Sequence, residues 1–83
     1  MRGLSEINAH FTEESGRFRQ GSLKRIAEVA KVDYHIVANV LHQRKIATKD
    51  VDLKLRVYHA ADRVVTEELE KEELLNQIEN DES

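Results

Sequence analysis

The 83-residue chain contains no cysteine, no proline and no tryptophan, and only three glycines, two tyrosines and two phenylalanines. Without cysteine there are no disulfides and no thiolate zinc sites, which fits a reducing compartment. The lack of proline and the few aromatics favour helices over a sheet of short strands. No apolar run approaches the length of a membrane span, and no basic-then-apolar leader opens the chain, so a cytoplasmic protein is expected. The length suits one domain with a small core. Folding at this size hides only about 60–65 % of the extended surface, which leaves stability marginal unless subunits associate.

Charge is present in both signs but unevenly placed. Residues 1–66 carry 12 Lys and Arg against 8 Asp and Glu, a net of +4, and residues 67–83 carry one lysine against 8 carboxylates, a net of −7. Together they give the overall −3. A basic body followed by an acidic segment suggests two functions or one function with its regulator, and equally an ordinary solvated helix.

The most informative stretch is Ser22–Leu41, SLKRIAEVAKVDYHIVANVL. Ile26, Ala27, Ala30, Val32, Val37 and Val40 recur at a spacing that predicts two short helices joined by a tight turn near Lys31. Ala27 suits a close helix crossing, with Val32 and Val37 closing the same pocket. The second helix, about Tyr34–Leu41, then exposes Tyr34, His35, Ala38 and Asn39, with no carboxylate on that face. This is a helix-turn-helix pattern with a recognition helix, and Ser22 is placed to cap the helix before it.

The segment SLKRIAEVAKVDYHIVANVLHQ resembles the DNA-binding headpiece of the lactose-repressor family, and RVYHAADRV is similar to that headpiece's third helix, with Val57, Ala60, Ala61 and Val64 as its packing stripe. The resemblance covers residues 22–64. It implies an all-α, lambda-repressor-like helix-turn-helix bundle, here with an N-terminal extension (1–21), the DNA-binding unit (22–65) and a long acidic C-terminal helix (66–83). It also implies a homodimer reading double-stranded DNA with twofold symmetry. The departures matter. Lys31 stands where the family has glycine, at a position that tends toward left-handed backbone, at a cost on the order of 1 kcal/mol. Asp33 replaces a serine before the recognition helix, both being good N-caps. Ile36 replaces a threonine. Asn39 replaces an arginine, exchanging a guanine-type donor for an adenine-type reader. No sugar-binding domain or hinge follows, so metabolite induction is not implied.

On this reading Tyr34, His35 and Asn39 reach base edges. Arg17, Arg19, Ser22, Lys24, His42, Arg44 and Lys45 contact phosphates. In the extension, Leu4, Ile7 and Phe11 share one side of a short helix capped by Ser5. Gly16 and Gly21 bracket an Arg17–Gln20 arm that either follows the DNA or merely covers the core with Phe18. Ile46 is expected to anchor the loop after the recognition helix. From Thr48 or Asp50 nothing breaks a helix, although Thr66 followed by Glu67 and Glu68 fits either a new N-cap or helix interior, and Glu79–Ser83 should fray. Leu55, Tyr58, Leu69, Leu74, Leu75 and Ile78 are left for a dimer interface.

The four histidines lack metal-ligand spacing, only His35 and His42 sharing a helical side, so neither a metal nor another cofactor is expected. No phosphate loop or nucleophile–base pair is evident, and the acidic run lacks an apolar pocket to raise a carboxylate pKa. The expected function is a non-enzymatic transcriptional regulator, a repressor at a palindromic operator, nucleoid-associated in a prokaryote and borne by a phage or mobile element. The rival is an antitoxin-like or anti-activator interaction protein whose acidic helix binds a protein partner. A helical structural protein with an accidental motif stands third.

Overall fold

Small side chains set how closely the helices approach. In the computed structural model of the chain, which describes residues 1–81, α1 (Leu4–Phe11), α2 (Gln20–Ala30), α3 (Tyr34–Leu41) and α4 (Val51–Asp81) form an all-α bundle. One isolated antiparallel bridge, Thr12 to Phe18, closes the loop between α1 and α2. On α2, Leu23, Ile26, Ala27 and Ala30 are buried at spacings of three and four, a single helical stripe. It meets Val57, Ala60, Ala61 and Val64 of α4, and alanines on both sides let the two backbones come close.

The turn forms as its residues dictate. Lys31 adopts the left-handed conformation (φ 59°, ψ 46°), and the Val32 N–H donates back to the Ala27 carbonyl at 3.1 Å. Asp33 then caps α3, its Oδ1 accepting from the His35 N–H at 2.8 Å. Val37, Val40 and Leu41 turn inward. Beyond α3, Gln43 is also left-handed (φ 52°). Its N–H donates to the Val40 carbonyl at 3.1 Å and the Arg44 N–H to the Asn39 carbonyl at 3.0 Å, the two bonds of a Schellman closure.

Several boundaries differ from expectation. α2 starts two residues before Ser22, with Arg19 at the N-cap. The amides of Ser22 and Leu23 both donate to the Arg19 carbonyl. Ser22 is therefore not a cap but a small helical side chain facing the core, 8 % exposed. α1 starts at Leu4 with Gly3 at its N-cap, so Ser5 lies inside the helix. Ile46 does not anchor its loop: the Ala47 N–H to Arg44 carbonyl bond closes a tight turn with Ile46 at its outer corner, 78 % exposed.

Residues 1–21 are part of the bundle. Ile7 and Phe11 are fully buried in the same core as α2, α3 and α4, and the Asn8 amide donates to the Leu41 carbonyl at 2.9 Å, tying α1 to the end of α3. α4 is capped by Asp50, whose Oδ1 accepts from the Leu53 N–H, and runs without interruption through Thr66–Glu68. Glu79–Asp81, expected to fray, are helical; Glu82 and Ser83 lie outside the described residues. At about 1.5 Å per residue a 31-residue helix is about 46 Å long, most of the molecule's 51 Å long axis. No described residue beyond Val65 is buried, so the second half of α4 projects from the body.

Candidate nucleic-acid interface

With Val37, Val40 and Leu41 inward, helical geometry puts His35 and Asn39, four residues apart, at the centre of the outward face of α3. Tyr34 flanks them, 40 % exposed, with its ring tilted onto that of His35 at 4.1 Å between centroids. The three expected base-reading residues thus share one outward surface, Tyr34 and His35 exposed and Asn39 half-buried. Asn39 is not free, however: its Oδ1 accepts from Arg44 Nη1 at 3.0 Å.

Behind α3, Arg44, Lys45, Lys49 and Lys54 line a groove of about 230 Å³ with Val40, Gln43, Ala47, Thr48 and Tyr58, and no carboxylate lines it. None of the four cations has an ion-pair partner among the described residues. Lys49 and Lys54 escaped the sequence reading. Lys54 carried a signal: it stands in the first turn of α4, where a cation opposes the helix dipole and something anionic nearby would relieve it.

The other expected phosphate contacts divide. Arg17 and Lys24 are exposed and unpaired among the described residues. Arg19 is not part of a free arm. Its Nη2 donates to Glu68 Oε1 and to the His10 carbonyl, each at 3.0 Å, and its guanidinium sits 5.9 Å from the centre of the Phe11 ring. Ser22 is too buried to offer its hydroxyl. His42 rests one ring face on Phe18 at 4.3 Å although the residue as a whole is exposed. Burial of the ring, helped by the charge of Arg44, lowers the His42 pKa below the ordinary histidine value.

Other cations are paired with carboxylates farther along α4. Glu67 takes Arg25 at 3.3 Å and Arg63 at 3.7 Å; Glu68 takes Arg19 and His10; Asp62 takes Arg2 at 3.0 Å. The backbone N–H of Arg2 also donates to Asp62 Oδ1, and chiefly this bond, with the Arg2 guanidinium and against the effect of burial, holds the carboxyl below its ordinary pKa.

The residues expected at a dimer contact do not form one surface. Tyr58 is half-buried against the core and in the basic groove. Leu74, Leu75 and Ile78 make one exposed stripe, but Leu69 lies on the far side of the helix at 3.6 residues per turn. Leu69 and Leu55 lie outside that stripe.

Among the described residues no group of three or more histidines or carboxylates is arranged to hold a metal ion. No helix of the described residues is long and apolar enough to cross a membrane. The class defined is an all-α bundle with a short outward-facing helix beside an unpaired basic groove. Comparison with protein-family models, curated proteins and solved structures finds no match. The functional reading rests on the chain's own residues.

Proposed function

We propose that the protein is a sequence-specific DNA-binding regulator of transcription, a repressor in a prokaryotic nucleoid, with no enzymatic activity. One observation carries the reading: the outward face of α3, polar and free of carboxylate, is joined by the Arg44–Asn39 contact to the groove that Arg44 lines with Lys45, Lys49 and Lys54, none of them in an ion pair. α3 enters the major groove as the recognition helix of a helix-turn-helix. His35, Tyr34 and Asn39 meet base edges, while Lys45, Lys49 and Lys54 neutralise phosphates and Arg17 and Lys24 extend the basic track. A homodimer formed through Leu74, Leu75 and Ile78 presents two such helices, which calls for a palindromic site with half-sites about 34 Å apart.

Selection of bound duplexes from a random pool by the full chain tests this. A palindromic consensus with strongly salt-dependent affinity is expected, because neutralised phosphates release counterions. An empty selection discards the reading.

The projecting half of α4 supports a second reading, an interaction protein of the antitoxin or anti-activator kind. Its stripe of Leu74, Leu75 and Ile78 among carboxylates suits a basic, apolar-grooved partner. Truncation after Glu68 separates the two and leaves the ion pairs of Glu67 and Glu68 intact. Loss of dimer and DNA binding supports the first reading. An intact DNA-binding dimer that no longer holds a protein partner supports the second.

A further inference from the structure

An isolated asparagine in the major groove reads adenine, since its Oδ1 accepts from the base's N6 amino group while its Nδ2 donates to N7. In this protein that oxygen already has a donor. Arg44 Nη1 lies 3.0 Å from Asn39 Oδ1, and because a guanidinium only donates, the amide must turn its oxygen to the arginine and its nitrogen away.

The contact follows from how α3 ends. Gln43 in the left-handed region turns the chain back, and the Arg44 N–H closes on the carbonyl of Asn39 itself at 3.0 Å. Backbone and side chain of Arg44 therefore both bond to the same residue. The one carboxylate adjoining α3 at its start, Asp33, accepts from the His35 N–H and offers no competing partner. Arg44 occupies one lone pair of Asn39 Oδ1 and sets a cationic donor beside the other, while the Nδ2 hydrogens and the remaining guanidinium hydrogens are left as free donors.

We infer that Asn39 and Arg44 act as one donor-rich reading head that selects guanine, whose major-groove edge offers the two acceptors N7 and O6, over adenine, whose N6 amino group would meet the arginine's donors beside the partly occupied Asn39 Oδ1. This rests on the DNA-binding reading above and names the base it takes. It also moves Arg44 from the phosphate-binding set to the base-reading one.

The test is in-vitro selection followed by affinity titration on matched duplexes, with full-length wild type, Arg44→Ala, Asn39→Ala and Lys45→Ala. Circular dichroism of each variant is expected to match wild type, showing that the substitutions leave the helices intact. Wild type is expected to prefer guanine to adenine by about tenfold or more at one position in each half-site. Arg44→Ala releases Asn39 Oδ1 and should shift that position from guanine to adenine. Asn39→Ala should weaken the guanine preference without creating one for adenine. Lys45→Ala should lower affinity for every duplex alike. An unchanged consensus in Arg44→Ala, with affinity lowered uniformly, overturns the inference and leaves the DNA-binding reading standing. So does an adenine preference at that position already in wild type. A wild-type selection that retains no duplex sinks both.

Discussion

Two sets of cations in this chain meet opposite fates. Arg2, Arg19, Arg25 and Arg63 lie along the flank where α1 and α2 meet α4, and the carboxylates Asp62, Glu67 and Glu68 hold them. Arg44, Lys45, Lys49 and Lys54 lie beyond α3, where α4 carries no carboxylate toward them. In the first set Arg2, Arg19 and Arg25 tie other segments to α4, Arg63 pairing within α4 itself; the second set leaves a groove without an ion pair on a protein whose net charge is negative. Net charge is therefore a poor guide to partners here. The start of the acidic segment belongs to the structure of the body, and the excess negative charge that projects into solvent begins only after Glu68.

The comparison breaks first at its packed flank. Phe11→Ala removes a fully buried ring and should cost about 3–5 kcal/mol in urea unfolding, enough to leave so small a domain largely unfolded. A loss under about 1 kcal/mol would mean that residues 1–21 are a loose arm after all. On either side of α3 the backbone holds strain. Lys31→Gly and Gln43→Gly should each stabilise the fold by about 1 kcal/mol, read as a higher urea midpoint at unchanged slope.

A smaller effect sharpens the role of the paired flank. Asp62→Asn should cost about 0.5–1 kcal/mol near neutral pH. The native carboxyl has a lowered pKa, so its contribution is fully present above the ordinary carboxylate value of about 4 and is lost as pH falls through the lowered native value. The gap between wild type and variant should accordingly close in unfolding curves taken progressively below pH 4. Least of all in stability comes the open side. Lys54→Ala should stay within about 0.5 kcal/mol of wild type, tending to stabilise through the dipole of α4, yet reduce the salt slope of DNA binding by about one. A Lys54→Ala protein with wild-type salt dependence removes the groove from the phosphate track.

The α2–turn–α3 unit was legible because its signals act within a turn or two of chain. Ala27 and Val37 declared the crossing and Asp33 the cap, while the left-handed backbone at Lys31 was expected only from the resemblance of this segment to a headpiece with glycine there. The single helix from residue 51 onward followed from the absence of any breaker. Ser22 misled because a good capping residue lies two positions inside the true start, where Arg19 and Gly21 leave the helix free to begin earlier. The contact of His42 with Phe18 was not legible, because Phe18 comes from a loop more than twenty residues away.

Periodicity and capping chemistry alone determined that the chain is helical, where its core face runs and which side of Tyr34–Leu41 is turned outward, since each depends on neighbours three or four residues apart. The company of each charge was decided only when α4 crossed the bundle. Arg19 and Glu68 are 49 residues apart and Arg2 and Asp62 are 60. Coulombic attraction acts over ångströms of space, whatever the separation along the chain. That crossing, together with the left-handed closure at Gln43 that brings Arg44 onto Asn39, settled which donors and cations remain exposed beside α3.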